Sequence, residues 1–256
     1  MDIAEGAVLA AAAAVAGAVN SVAGGGTLLT FPALRFGADL LPRVANATST
    51  AALWPGAWGA IGGYRKDLAG SGRFLAALAV PSLLGGGLGA WLLLVAGERA
   101  FGFIVPWLVI FATVLFAISA RIAARFGAGE EGRDPRPGPL ALLYHFGVAV
   151  YGGYFGAGIG ILMLAMLGTL GMRDIRRMNG VKMVQGMLIN VVAIAVFVAA
   201  GDLIRWPEAI LMAMAALGGG FAGASLSRRV PPEAVRGLVI ATGLVVAGAE
   251  FWRAYR

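Results

Sequence analysis

Apolar residues gather into ten runs along the chain, at about 7–22, 27–36, 44–63, 74–96, 101–124, 139–152, 159–172, 178–200, 207–226 and 236–254. Most approach the roughly 20 residues that span a hydrocarbon core as a helix. Two pairs fall short. The runs 7–22 and 27–36 flank Asn20-Ser21-Val22-Ala23-Gly24-Gly25-Gly26-Thr27, and the runs 139–152 and 159–172 flank Gly152-Gly153-Tyr154-Phe155-Gly156-Ala157-Gly158. Each pair reads as a helix broken by glycines. The one long polar stretch, rich in Gly, Pro and charge, lies at 127–138 and reads as a linker.

The two sides of that linker share a pattern. Gly24-Gly25-Gly26 aligns with Gly156-Ala157-Gly158, Arg43 with Arg177, and Gly85-Gly86-Gly87 with Gly218-Gly219-Gly220. The predicted fold is an all-α polytopic membrane protein of two repeats, 1–126 and 139–256, together one membrane domain. Each repeat is a broken, re-entrant helix pair followed by three transmembrane helices. If both broken pairs enter and leave on one side, the repeats are inverted, and the basic residues divide 6 to 14 of the 20 between the faces. One net crossing per broken pair divides them 10 to 10. The positive-inside rule favours the first solution, with the linker in the cytoplasm and both termini outside.

Composition agrees. Hydrophobic residues make up 59% of the chain and charged ones 13%, about half the share of a soluble domain. The net charge of +7 sits in the gaps between apolar runs, so it reads as topology signal, and no nucleic-acid partner is expected. With no cysteine, thiolate metal sites, disulfides and cysteine catalysis are excluded. Asp2 and Glu5 stand where a signal peptide carries its basic region, so the first run is read as part of the fold. No phosphate-binding loop, metal-binding His pair or nucleophile elbow occurs, so neither a cofactor nor catalysis is expected.

The candidate chemistry centres on the two breaks. Irregular backbone at membrane depth persists only where protein or water satisfies it. Helix N-termini after such breaks present N–H groups to an anion. The candidate substrate-binding residues are Asn20, Ser21, Gly24, Gly25, Gly26 and Thr27 at the first break, and Gly156, Ala157 and Gly158 at the second. For these glycines a site is set against close helix packing. For Gly85–Gly87, Gly89, Gly218–Gly220 and Gly223 packing is the favoured reading. The helix after each break adds Thr48 and Ser49 in one half, and Lys182 and Gln185 in the other. Thr50 is a further donor there, and Asn190 extends the path. The hydroxyls have an alternative in bonds back to their own helix. Lys182 has two readings: a charge for the anion, or an ammonium snorkelling to the cytoplasmic face. His145, the single histidine, is either a proton relay or a packed neutral residue. Trp54 and Trp58 either wall a cavity or pack in the core, the latter being favoured, and Glu250 reads as reaching the outer interface.

The runs Ala23-Gly24-Gly25-Gly26-Thr27, Phe31-Pro32-Ala33-Leu34 and Ala45-Asn46-Ala47-Thr48-Ser49, with a degenerate second copy from Gly152, make the whole chain resemble the sulfite exporter TauE/SafE family of bacterial anion permeases. The second copy departs from the family pattern with Lys182 where a threonine often stands. The resemblance implies a multi-pass inner-membrane permease for sulfite, organosulfonates or related anions, and a homo-oligomer such as a dimer. The residues by themselves point to an anion; the sulfur comes from the resemblance. Three other readings stand beside it. One is a channel or carrier for another small anion such as a carboxylate. A second is a non-transporting membrane scaffold, for which costly helix breaks have no use. The third is an intramembrane enzyme built on His145, which lacks a catalytic partner.

Overall fold

A computed structural model describes residues 2–22, 24–126, 136–226 and 232–255. The bulk of the predicted linker, 127–135, lies outside the described residues, as do Ala23, Arg228, Arg229 and Arg256. Every regular element among the described residues is helical. These are α1 (Ile3–Val22), α2 (Thr27–Pro32) with a π-helical turn after it (Ala33–Gly37), α3 (Pro42–Tyr64), α4 (Gly72–Phe126), α5 (Pro139–Tyr154), α6 (Ile159–Thr169), α7 (Ile175–Ala199), α8 (Trp206–Leu226) and α9 (Pro232–Tyr255).

The boundaries follow local chemistry. Pro42 opens α3 and Pro139 opens α5, where a missing N–H costs nothing. Asp174 caps α7 by accepting from Arg176 N at 2.8 Å and Arg177 N at 3.3 Å. The predicted runs 74–96 and 101–124 are the two arms of α4. They meet at Gly97, whose φ of 71° and ψ of 168° lie outside helical space. Both predicted helix breaks are present and also use left-handed backbone, at Gly24 (φ 78°), Gly156 (φ 82°) and Gly158 (φ 80°).

By length and composition four helices are candidate membrane spans: α1, the 72–119 part of α4, α7 and α8. The α4 stretch is 48 residues long, enough for two spans of about 20 residues. α3 is not among them, because Arg43, Asn46 and Thr48-Ser49-Thr50 dilute its apolar content. Large apolar side chains such as Val80, Leu84, Val95, Met214 and Val245 remain exposed on the outer surface, as a hydrocarbon solvent permits.

Packing crosses between the halves. α8 lies against α1 and α3 of the first half, and the first arm of α4 lies against α5 and α7 of the second. α3 packs on α7, and the second arm of α4 on α9. Glycines make the crossings close. A side chain at Gly153 would run into the Gly86 carbonyl, and one at Gly219 or Gly220 into the carbonyls of Ala14 or Gly56. The packing reading of Gly85, Gly86, Gly89, Gly219, Gly220 and Gly223 agrees with this geometry. Gly218 has open space instead.

Charged residues gather at the two ends of the bundle. At one end Arg35 Nε meets Glu250 Oε1 at 2.9 Å, and Arg43 N donates to Glu98 Oε1 at 3.1 Å. At the other end Arg176 forks onto Asp67, with both bonds at 3.1 Å, and Arg177 Nε donates to Ser71 at 3.0 Å. These levels lie at opposite ends of α3, about 33 Å apart at 1.5 Å per residue. Glu250 does lie at a bundle end, but its side chain is buried against Arg35 rather than reaching out.

Candidate functional site

The two breaks come together inside the bundle. Gly24 packs on Gly160, where neither backbone leaves room for a Cβ. Phe31 and Phe155, one from each hairpin, stack edge to face at 5.7 Å. Beside this contact is a cavity of about 30 Å³, enough for one or two waters. Its walls come from both halves: Asn20, Thr27, Thr50, Leu53 and Ala57 from the first, and Gly156, Ile159, Gly160, Met163, Lys182, Met183, Gly186 and Asn190 from the second.

Four of the expected site residues thus share one cavity: Asn20, Thr27, Gly156 and Lys182. Thr50 and Asn190 join them. Among the described residues the side chains of Asn20, Thr27 and Asn190, which line the cavity, have no hydrogen-bonding partner. Thr50 donates back to Asn46 O at 3.0 Å and offers its lone pairs only.

The remaining expected residues stand around the cavity rather than in its wall. Gly25 lies against the Phe116 ring, and Gly26 against Ala16 and Asn20. Ser21 is buried and donates to Ala18 O at 2.8 Å. Thr48 accepts from Arg205 N at 3.0 Å, at the start of α8, and Ser49 pairs with Thr30 at 2.6 Å. Ala157 is buried, and its carbonyl accepts from Tyr151 Oη at 2.7 Å. Gly158 is the left-handed residue that opens α6.

Gln185 belongs to a separate buried network. Its Nε2 donates to Leu75 O at 3.1 Å, and its Oε1 accepts from Ser82 at 2.8 Å. Ser82 Oγ spends its proton there, so the 2.7 Å contact with His145 is read as Nε2–H donating to Ser82. His145 Nδ1 is buried without a partner. This network ties α4, α5 and α7 together away from the cavity wall.

Lys182 follows neither of its two readings fully. It does not snorkel: only 3% of it is exposed, and Nζ points to the end of α1. There it donates to Asn20 O at 3.1 Å, Ser21 O at 3.2 Å and Asn179 Oδ1 at 2.7 Å. The carbonyls are the last acceptors of a helix that stops inside the protein, at its negative dipole end. The other hairpin has a counterpart: Asn46 Nδ2 from α3 donates to Tyr154 O at the end of α5, at 3.0 Å. Each half therefore caps the broken helix of the other. The sequence reading missed this pairing, whose one visible signal was a polar residue three positions after Arg43 and another five after Arg177. It also missed Gly186, an ordinary helical glycine that leaves open space at the cavity wall.

No curated protein and no solved structure matches this chain. The model of the sulfite exporter TauE/SafE family matches residues 9–249 of the 256. With so nearly complete a match, on an all-helical bundle with candidate membrane spans in both halves, the chain belongs to the sulfite exporter TauE/SafE family.

Proposed function

We propose that this protein is a secondary carrier for a small sulfur-containing anion, sulfite or an organosulfonate, in the bacterial inner membrane. The binding site is the cavity between the two breaks. The observation that carries this reading is the cavity's wall: unpartnered polar side chains from both halves meet beside the buried Lys182. A scaffold has no use for such a costly arrangement, and no carboxylate stands in the wall to bind a cation. The halves are inverted repeats around the site, a reading supported by the exchanged packing of α8 and the first arm of α4 and by the reciprocal caps. The feet of the first hairpin and the Gly97 kink face outward, and the feet of the second hairpin and the α3–α4 turn face the cytoplasm. Assembly as a homo-oligomer rests on the family likeness alone.

The test is flux into proteoliposomes with sulfite, sulfoacetate, sulfate and acetate as cargo, for wild type and Gly186→Leu. A Cβ at Gly186 meets no atom within 4 Å, so leucine fills the cavity without a backbone clash. Sulfite is expected to enter wild-type vesicles much faster than acetate, and Gly186→Leu to abolish entry at an unchanged melting temperature. Sulfite flux that survives in Gly186→Leu moves the pathway elsewhere, and absent wild-type flux overturns the carrier.

A further inference from the structure

The bonding around Lys182 says more about the substrate than the family does. Nζ faces three oxygens within 3.2 Å, and all three are acceptors: two carbonyls and the Asn179 amide oxygen. A neutral amine has two protons to donate and leaves one acceptor unmatched; an ammonium matches all three. With Asn179 Oδ1 as the third acceptor, the arrangement suits an ammonium, and Lys182 is taken as charged. Its ligands are dipoles, so the positive charge is solvated but not neutralised. Among the described residues no carboxylate bonds to Lys182 or lines the cavity. At the bundle end where α7 starts, Asp67 and Arg176 are engaged with each other and Asp174 caps α7. The site thus carries one uncompensated charge in a low-dielectric interior.

The same bonds remove Lys182 from direct contact with a ligand, because all three protons are taken. The groups left to touch a substrate are Asn20, Thr27 and Asn190, which are unpartnered and line the cavity. Asn20 is itself held by Lys182, through its own carbonyl at 3.1 Å.

We infer that the cavity is a monoanion site, in which Asn20, Thr27 and Asn190 bind the oxygen atoms of the substrate while Lys182 balances its charge from behind without touching it. Charge balance is the selective element. One negative charge makes the occupied site neutral, whereas a dianion leaves a net negative charge at the same depth. Lys182 is a positioning residue, and Asn190 is the specificity-determining contact contributed by the second half. This inference rests on the cavity being the transport site.

The probes are methanesulfonate and sulfate, which present similar oxygen faces with one and two fixed charges. Both are titrated calorimetrically at pH 7 and matched ionic strength, into the full chain in nanodiscs of zwitterionic lipid. Wild type is expected to bind methanesulfonate at least about ten-fold more tightly than sulfate, one decade in Kd. Equal or tighter sulfate binding overturns the inference, and this arm needs no variant to fold. Asn190→Leu should weaken methanesulfonate by about ten-fold or more at an unchanged melting temperature, the loss of at least one ligand bond. Unchanged affinity there removes Asn190 from the site. Asn190→Lys adds a second charge and should turn the preference toward sulfate, a change that a purely structural role for this position does not produce. A preserved methanesulfonate preference in that variant overturns the charge argument. Sulfite flux measured in parallel separates the two levels of reading. Flux without charge preference refutes this inference alone, and absence of both flux and binding refutes the carrier as well.

Discussion

Replacing Lys182 by methionine should separate stability from binding. The side chain's three bonds run to Asn179 Oδ1 at 2.7 Å, Asn20 O at 3.1 Å and Ser21 O at 3.2 Å. Methionine fills a similar volume but donates nothing. Ser21 O keeps Tyr64 Oη at 3.2 Å. Asn20 O and Asn179 Oδ1 lose their donor, at about 1–3 kcal/mol for each buried orphan. Against this, the variant no longer desolvates an ammonium, a relief of several kcal/mol. The two contributions are of similar size and opposite sign, so Lys182→Met should melt within a few degrees of wild type. Asn179→Leu does the reverse. It keeps the buried charge and removes its shortest bond, a loss of about 1.5–3 kcal/mol. At about 2–4 °C per kcal/mol for a chain of this size, it should melt roughly 3–12 °C lower.

Affinity should rank the other way. Lys182→Met removes the charge that balances the anion and should weaken methanesulfonate by more than about ten-fold. Asn179→Leu leaves the charge in place and should bind within about two- to three-fold of wild type, below 1 kcal/mol. The assays are tryptophan-fluorescence melting in detergent and calorimetric titration of the same preparations. If Lys182→Met melts far below Asn179→Leu and binds normally once folded, the ammonium serves as a cap for α1, and its charge has no part in binding.

Three further predictions test the frame around the site. Single cysteines at Ala100 and Ala69, in this chain without native cysteine, should react with an impermeant thiol reagent on intact cells at position 100 only; labelling of 69 alone reverses the proposed orientation. Gly153→Ala sets a Cβ against the Gly86 carbonyl and should cost about 1–3 kcal/mol, whereas Gly102→Ala, in open space, should be neutral or slightly stabilising in a melt; equal effects would remove the close crossing. Glu250→Leu strands Arg35, whose pair with Glu250 is largely buried, and should cost about 3 kcal/mol. The Arg35→Leu/Glu250→Leu double variant should recover most of that, and a double variant as unstable as the single one argues against the pair.

What the sequence made legible was whatever a bilayer imposes on composition. The runs 178–200 and 207–226 match α7 and α8 because an apolar helix of spanning length has few other homes. The two breaks were legible because consecutive glycines in an apolar run have a backbone meaning, borne by the left-handed Gly24, Gly156 and Gly158. The cavity wall was only partly legible. Asn20, Thr27, Gly156 and Lys182 line it, but Thr48, Ser49 and Gln185, of the same polar character, are taken up in bonds to Arg205, Thr30, Ser82 and Leu75. Each of those partners is between 19 and 157 positions away in the chain. A polar residue's type shows that it needs a partner; whether that partner is protein or substrate depends on contacts that no local pattern encodes. Gly186 was invisible for the opposite reason, since its role lies in the space beside it.

The reciprocal caps give the two breaks a common logic. A helix that ends inside a bilayer leaves carbonyls that neither water nor lipid satisfies, each at a cost of several kcal/mol in hydrocarbon. In the proposed re-entrant arrangement, the half that contains the break commits its own next helix to returning to the same end of the bundle. The opposite half supplies donors at that depth through Asn46 of α3 and Lys182 of α7, and within the first half Tyr64 Oη adds a second donor to Ser21 O. The exchange is chemically unequal. The amide of Asn46 satisfies one carbonyl and adds no charge. The ammonium of Lys182 satisfies two and brings a full positive charge to the cavity edge. If capping were the only requirement, a second amide would have met it with less desolvation. The excess charge sits on the cavity side of one cap only, and a functional requirement of the cavity accounts for that asymmetry where packing does not. Rigid motion of one hairpin must also strain bonds donated by the other half, so the two breaks are coupled through the same groups that surround the site.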